Sequence, residues 1–516
     1  MNKGDFISWI KSIRISSLLD MTKEDLASVL GENFAMMKGY FQNNPHHCYE
    51  LLEHTIKTTE GIQYGDLDEF DAVELKIAAL FHDVGKPEVA FENKGRTVFY
   101  NHSRESCELA EKQLKEYNLS GCSLDRILFY IEHHDDFISY KLKAEIDGSK
   151  NPYIVPITLE TVYKKILETQ EECCKRKLYV PSIKDYLNLM HLCIADAKAQ
   201  NAIVIQNGVI IDSKEQKLVR LNLIFQHIKD IYLAENLECD LHTHSVFSDG
   251  TDSPKELVEK AIAQGLRVIA LTDHNTIDGL FEFVDVAKKS SIDAVSGVEF
   301  STEYNNRELH LIGLFINHEH YEKVTEYLSE ACLAKEESNR KLIQNLYEAG
   351  YDVDYEELVK YSSNNNINRA VVGQYLFDKG IINSVQEGFK TLLSKDKGYY
   401  IPPRRPSTIK TIRFIKSIGA IAVLAHPLLG FTMDEFEKFL PEATEAGLDA
   451  VETRYSLFSL EQQDYLIKIV KNNQLLESGG SDYHGNGKPH IKLGKGTGSL
   501  VVPLSIYLKM IEKHQL

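Results

Sequence analysis

The chain has 516 residues, with 58 Lys plus Arg against 76 Asp plus Glu, a formal net charge of −18. At roughly 150 residues per domain that length holds two to four domains. Apolar residues make up 43% and charged residues 26%, which excludes disordered, collagen-like and fibrous chains. The acidic balance argues against a protein that coats duplex nucleic acid, although an acidic chain can still cut nucleic acid once metal ions neutralise its site.

No run of about 18 apolar residues occurs, so no membrane-spanning helix is expected. The longest apolar stretch, near Gly419–Phe431, is interrupted by His426 and Pro427. The first residues lack an uninterrupted apolar core and a small-residue cleavage site, so they make a poor signal peptide. Eight scattered cysteines without a CxxC spacing read as reduced thiols in a cytoplasm.

From Met1 to about Asn236 the pattern is helical. Apolar residues recur three and four apart, as in Leu51, Leu52 and Ile56, and again in Ile77, Leu80, Phe81 and Val84. A β-hairpin is expected at Ile203–Ile211, turning at Asn207-Gly208. This stretch, residues 1–236, forms one expected domain and 237–516 the other.

After Glu238, β-rich runs alternate with helical ones. Strands are expected at Cys239–His242, Val268–Thr272, Ala294–Val298, His310–Ile316, Ala420–Ala425 and Ala450–Thr453. Between the first two, Ser253–Gln264 reads as a helix with Ser253 as cap and Pro254 at the first helical position. This alternation indicates βα units around a parallel sheet or barrel. Residues 318–400 break it and read as a helical insertion with a polar tract at Ser362–Asn366.

The 19 histidines gather beside carboxylates in two groups, the first sign of metal chemistry. In the helical half the key string is Phe81-His82-Asp83-Val84-Gly85-Lys86-Pro87. An adjacent His-Asp pair at a helix end can offer an imidazole and a carboxylate to one cation. His54 lies upstream, with Glu50 one turn earlier on the same helix face. His102, His133, His134 and Asp196 follow. Read alone, Asp83 could merely cap a helix, and Lys86 fits either a phosphate contact or a solvated position.

This half resembles the HD phosphohydrolase superfamily over roughly residues 45–200. The strings FHDVGKP and NHSRESCELA are similar to those of the HD domain in tRNA nucleotidyltransferases. The resemblance implies an all-α domain that binds divalent metal through His54, His82, Asp83 and Asp196 and hydrolyses phosphate esters. His102, His133, His134 and Glu50 fit the wider set of members holding two or three metals, so one to three are expected. The GYP segment of the HD-GYP group is absent.

In the second half, Asp240-Leu241-His242-Thr243-His244-Ser245 ends the first expected strand. Residues two apart in a strand share a face, so His242 and His244 can chelate one cation. Asp249, Asp273-His274, Glu299, His310, His426 and Asp482-Tyr483-His484 follow, nearly all at the C-terminal ends of strands. Active sites of βα barrels gather there because the following loops converge.

The half resembles the PHP (polymerase and histidinol phosphatase) superfamily from about Cys239 to Gly494. The strings DLHTHSVFSDG, ALTDHNTIDG, VSGVEFS, AVLAHP and GSDYHG carry the likeness. It is greatest to a stand-alone group that hydrolyses 3′,5′-bisphosphonucleosides and trims RNA 5′ ends. The resemblance implies a distorted (β/α)7 barrel with a helical insertion and a site of three divalent metals. Their ligands would be His242, His244, Asp249, His274, Glu299, His310, His426, Asp482 and His484. Asp273 would orient an imidazole from behind. Imidazole-rich ligation suits Mn, Fe or Zn better than Mg.

One departure concerns specificity. Where that group has a segment like Gly-Arg-Pro-His, this chain reads Asn368-Arg369-Ala370-Val371. Arg369 can grip a phosphate bidentately, but valine replaces the histidine. Arg404 and Arg405 either add phosphate contacts or belong to a solvated loop.

The reading that follows is a metal-dependent phosphoesterase, with Asp273, Arg369 and Lys86 as the catalytic candidates beside the ligands. Its substrates would be nucleotides, bisphosphonucleosides or short single-stranded nucleic acid. Clustered cations neutralise the phosphate and acidify a bound water, so no covalent nucleophile is needed. The alternatives are a small-metabolite phosphatase of the histidinol-phosphate kind, or one half acting as a nucleotide sensor that regulates the other.

Overall fold

In the computed structural model, residues 3–12, 14–42, 49–63, 67–93, 96–146, 153–200, 203–206, 209–290, 292–361, 367 and 369–515 are described. They divide into two compact units, Met1–Leu233 and Ala234–Leu516. Among the described residues no helix is long and apolar enough to cross a membrane.

The first unit is built on helices with legible ends. Helix α1 spans Leu51–Glu60, and α2, Glu69–Phe81, starts where the Asp68 side chain accepts from Asp71 N. Helices α3 (His102–Glu116), α4 (Cys122–His133) and α5 (Leu159–Arg176) follow. Helix α6 (Ile183–Ala199) begins at a capping box between Ser182 and Asp185, and α7 covers Ser213–Tyr232. Almost every α2 residue from Asp71 to Phe81 is buried, which makes α2 the central rod packed by α1, α4 and α6.

The expected hairpin pairs Ile203–Gln206 with Val209–Asp212 in antiparallel register, its Asn207-Gly208 turn lying outside the described residues. Two small strand pairs were not anticipated. They are Phe91–Asn93 with Arg96–Val98, and Tyr140–Lys141 with Val155–Pro156. Strands of two or three residues are too short to show a period in sequence.

The second unit carries one seven-stranded sheet: β1 (Cys239–Asp240), β2 (Val268–Leu271), β3 (Asp293–Tyr304), β4 (Arg307–Leu314), β5 (Ile421–Leu424), β6 (Ala450–Tyr455) and β7 (Leu476–Gly480). The strands lie in chain order. Helix α8 (Pro254–Ala263) has the expected Ser253 cap, completed by Glu256 as a capping box.

One expectation needs correction. The sheet is not uniformly parallel, because β4 runs antiparallel to both β3 and β5. The cause is local. Tyr304 pairs with Arg307, so only Asn305 and Asn306 connect the strands, and both have positive φ, 50° and 61°. That is the two-residue hairpin turn whose twist suits antiparallel pairing, and asparagine tolerates it better than most residues. β4 therefore starts at Arg307 rather than at the expected His310.

The first and last strands meet and nearly close the barrel. Leu241 N donates to Gly479 O at 3.1 Å and Asp482 N to His242 O at 2.8 Å. The approach needs glycine at position 480, where a Cβ would lie 2.5 Å from His242 N and 2.4 Å from its Cβ. This is a distorted seven-stranded barrel wrapped by helices.

Between β4 and β5 comes the helical insertion. Its helix α9, Tyr321–Glu348, has 28 residues and joins two cores. Tyr321, Val324 and Leu328 pack into the barrel's apolar core. Leu342, Ile343 and Leu346 pack into a separate one with Leu358, Val372, Leu376 and Tyr400. Helix α10, Arg369–Asp378, belongs to the second core. The polar tract Ser362–Asn366 and Asn368 lie outside the described residues.

Candidate metal centres

In the helical unit, α1, α2 and α6 deliver His54, His82-Asp83 and Asp196 to one buried point. His54 Nε2 lies 2.9 Å from Asp196 Oδ1 and 3.6 Å from Asp83 Oδ2, and His82 Nε2 lies 3.3 Å from Asp83 Oδ2. Beside them, His102 Nε2 lies 3.3 Å from Asp83 Oδ1 and His134 Nε2 3.9 Å from the same atom.

Three of these imidazoles are aimed the same way. The Nδ1 atoms of His82, His102 and His134 lie 2.7, 3.0 and 2.7 Å from the carbonyls of Ala79, Phe99 and Ile131, each three residues earlier. An Nδ1–H donated backwards leaves Nε2 as a lone pair pointing into the cluster, the arrangement of metal-binding histidine. Burial disfavours a proton on His82, yet Asp83 and Asp196 outweigh it and push its pKa up to about 10. The carboxylates draw positive charge to that point.

Two residues were overlooked in sequence. Asp135 Oδ2 lies 3.2 Å from His102 Nε2, and Lys217 Nζ of α7 lies 2.9 Å from Asp196 Oδ2. Asp135 sits in a His-His-Asp-Asp run that reads equally well as a solvated helix end. Lys217 has no motif around it.

Two sequence candidates are placed otherwise. Successive helical residues face different ways, and His133 turns from the cluster-facing His134 to put Nδ1 2.9 Å from Asp136 Oδ2. The Glu50 carboxylate accepts from Gly39 N at 2.8 Å. Lys86 is buried and donates to Asp83 Oδ2 at 2.7 Å and Gln42 Oε1 at 3.1 Å. It is therefore not in a solvated position.

In the barrel unit, Glu299 on β3 is the hub. Its Oε1 lies 2.8 Å from His310 Nδ1 and 3.1 Å from His426 Nε2. Its Oε2 lies 3.2 Å from His242 Nε2, 3.2 Å from His244 Nε2 and 3.0 Å from His274 Nδ1. Asp482 Oδ1 lies 3.2 Å from His244 Nε2, and Asp249 Oδ1 3.1 Å from His484 Nε2. All nine sequence candidates thus converge. Two subsets hold their ligand atoms within 4.8 Å of one another: His244, Asp249, His274 and His484, and His242, Glu299 and His426.

The donor set fits divalent cations. The Nε2 atoms of His242, His244 and His484 and Glu299 Oε2 are buried without a hydrogen-bond partner in suitable geometry. Buried polar atoms are rarely left so. A cation between a carboxylate oxygen and an imidazole lone pair would satisfy both at once. In the helical unit, His82 Nε2 and Asp83 Oδ1 share that condition.

The surroundings fix the candidate ligands. Glu452, buried on β6, places Oε1 3.0 Å from His242 Nδ1 and accepts from His426 N through Oε2 at 2.7 Å. Its string, Val-Glu-Thr, matches no ligand spacing. Asp273 accepts from Ser245 N at 2.7 Å, Ser245 Oγ at 2.6 Å and Ser248 Oγ at 2.5 Å. Ser248 Oγ in turn lies 3.5 Å from His244 Nδ1, so Asp273 reaches that imidazole through a serine. Tyr455 OH and Lys488 Nζ donate to Asp482 Oδ2 at 2.9 and 2.8 Å. His426 and Asp482 hold positive φ, 28° and 54°, a strain that persists only where the surroundings impose it.

Next to the ligands lies a cavity of about 250 Å³, lined by Asp249, His274 and His310 and by Lys335, Arg369, Arg404 and Arg405 from the insertion and the segment after it. The Arg369 guanidinium lies over the Tyr400 ring at 4.5 Å and near Phe389 at 5.6 Å. Arg405 pairs with Glu308 Oε1 at 2.7 Å. Burial opposes charge on Glu308, but His310 and Arg405 bring its pKa down to about 2.

The comparisons with known proteins agree with this division. The HD domain pattern matches residues 46–170 and the PHP domain pattern residues 240–401. A 5′-3′ exoribonuclease of Haemophilus influenzae is 32% identical over 246 residues, 48% of this chain and 89% of that protein. The 5′-3′ exoribonuclease Rnm of Escherichia coli is 27% identical, covering 50% and 88%. A 3′,5′-nucleoside bisphosphate phosphatase of Chromobacterium violaceum is 27% identical, covering 48% and 88%. The chain belongs to the PHP domain family and carries an HD domain ahead of that part.

Proposed function

We propose that this chain is a metal-dependent phosphoesterase that hydrolyses phosphate esters of nucleotides or short oligonucleotides at the barrel site. The convergence of five imidazoles on the two oxygens of Glu299 carries the reading. Two or more divalent cations, of the Mn, Fe or Zn kind, held there would neutralise phosphate oxygens and supply an acidified water. The similarity to an exoribonuclease and to a bisphosphate phosphatase supports the substrate class.

The protein's own groups have separate tasks. His242, His244, Asp249, His274, Glu299, His310, His426, Asp482 and His484 hold cations. Glu452 and Asp273 keep imidazoles oriented. Arg369, steadied by Tyr400, grips a phosphate, and Arg404 and Lys335 add positive charge to the same cavity. Arg405 is already engaged by Glu308, so its part is to fix the cavity wall.

We propose a second metal-dependent phosphohydrolase centre in the helical unit, held by His54, His82, Asp83, His102, His134, Asp135 and Asp196. Lys86, buried and bonded to Asp83, holds that carboxylate in place. The cysteines among the described residues are all free, which suits a reducing cytoplasm.

The test is hydrolysis of nucleoside monophosphates, bisphosphonucleosides, short RNA and sugar phosphates, read as free phosphate or, for RNA, as released mononucleotide, with metal content measured on the same sample. Release from nucleotides or RNA supports the reading. Release confined to sugar or amino-alcohol phosphates would replace it.

A further inference from the structure

A second, larger space adjoins the cavity beside the candidate ligands. This groove has a volume of about 940 Å³ and shares His274, Asn275, Lys335 and Asn339 with the first. It runs between the loops of the barrel at Phe247 and Ile277 and the insertion at Arg340 and Tyr355. The two spaces differ in charge, and that decides what each can hold.

The smaller cavity has four cations in its lining, Lys335, Arg369, Arg404 and Arg405, against two carboxylates, Asp249 and Glu308, the latter paired with Arg405. It suits phosphate. The larger groove has Lys335 and Arg340 against Asp278 and Glu336, which balance. Arg340 is moreover neutralised in place by Glu336 at 2.8 Å, and its guanidinium lies 4.1 Å from the Tyr355 ring centre. The result is a flat, nearly neutral surface made of a ring and a guanidinium plane, with Phe247 in the same lining. Such surfaces bind nucleobases, because every base has a π face.

We infer that this groove is a subsite for a second nucleoside, so that a single-stranded oligonucleotide lies with one phosphate at the metals and its neighbouring base against Tyr355 and Phe247. The inference rests on the nucleotide reading given above. Lys335, shared by both spaces, sits at the junction where the linking phosphate must pass. A mononucleotide or bisphosphonucleoside is satisfied by the smaller cavity and leaves the groove empty.

The groove contains its own reporter. Cys332 is exposed and lines it, whereas Cys122 and Cys174 are exposed on the helical unit. The full-length, Mn-loaded protein is alkylated with iodoacetamide and each cysteine is followed by mass spectrometry. This is done alone, with a phosphorothioate-linked RNA tetranucleotide, and with adenosine 3′,5′-bisphosphate, each at a concentration that saturates inhibition or turnover. The tetranucleotide should slow modification of Cys332 about tenfold or more, the bisphosphate should not, and Cys122 and Cys174 should be unaffected by either. Unchanged Cys332 reactivity under the saturating tetranucleotide overturns the inference. Equal protection by both ligands also overturns it, since the groove would then hold the first nucleoside.

Kinetics supply a second arm. Tyr355→Ala should cost roughly 10-fold more in kcat/KM on the RNA than on the bisphosphate, a stacking-sized effect, and Tyr355→Phe should restore it. Equal losses on both substrates would assign Tyr355 to the fold. Should the protein hydrolyse neither nucleotides nor RNA, the proposed function itself fails. Turnover of nucleotides with an indifferent Cys332 fails the groove alone.

Discussion

Glu452 Oε1 stands 3.0 Å from His242 Nδ1, on the side of the ring away from Glu299. The carboxylate thereby sets which nitrogen of His242 carries the proton and which faces a cation. Its other oxygen accepts from the backbone of His426, so one side chain steadies ligands from two strands. Groups behind metal ligands typically change affinity 10- to 100-fold when removed. Glu452→Ala should weaken metal binding by that factor, and Glu452→Gln, which keeps the shape but can present an N–H to His242, should fall between. Metal titration by calorimetry or a chromophoric chelator checks this, and unchanged affinity in Glu452→Ala would leave the carboxylate without a role.

Chelation should abolish phosphoesterase activity, and purified protein should carry more than one transition metal per chain. Elemental analysis before and after exhaustive chelation, followed by addition of Mn, Fe or Zn salts, gives the answer. Full activity in metal-free protein would end both metal assignments.

His82→Ala combined with Asp83→Ala should remove metal from the helical unit and leave the barrel's turnover largely intact. Each unit has its own buried set of candidate ligands. Metal stoichiometry and barrel activity of the double mutant are the readouts, and complete loss of turnover in a folded variant would mean that the centres are coupled.

Arg369→Ala should lower kcat/KM by about 10- to 100-fold, since hydrogen bonds to charged groups are worth about 1.5–3 kcal/mol. Metal content should not change. The loss should be greater on a bisphosphonucleoside than on the matching monophosphate, and kinetics on both substrates decide it. Lysine should not rescue, because it lacks the planar fork and cannot stack on Tyr400 in the same way.

Gly480→Ala should destabilise the barrel unit by about 1–3 kcal/mol, the usual cost of overpacking. A Cβ there would fall 2.5 Å from the backbone nitrogen of His242, so β1 and β7 must part. Denaturant unfolding gives the stability loss, and metal titration should show weakened binding, because the displaced residue is a ligand candidate.

Much of the barrel site could be read before any coordinates. Its candidate ligands are chemically rare types at strand ends, and strand ends converge in a βα barrel. What escaped notice has a physical reason in each case. Glu452 touches His242 and not the point where the candidate ligands converge, so its position in Val-Glu-Thr follows no ligand spacing. Lys335 and Lys217 are single cations on long helices, and only folding sets them beside Asp249's cavity and Asp196. The reversal of β4 was present in the text as Tyr304-Asn305-Asn306-Arg307, but Asn-Asn is a weaker turn signal than the Asn-Gly that revealed the other hairpin. His133 and His134 looked equivalent in a linear string, and a helix separates neighbours by about 100°.

Helix α9 spans the barrel core and the insertion core without a break. From Leu328, the last residue packed in the barrel core, to Lys335 is seven residues, about 10 Å along the axis at 1.5 Å each. The helix therefore works as a ruler, setting how far the insertion's cations stand from the ligands. Adding or deleting one residue between Leu328 and Leu342 would swing everything beyond it by about 100° and shift it by about 1.5 Å. Arg369 would leave its cavity although no residue near it had changed. This stretch of partly exposed helix, ordinary in composition, has a length on which the proposed phosphate grip depends.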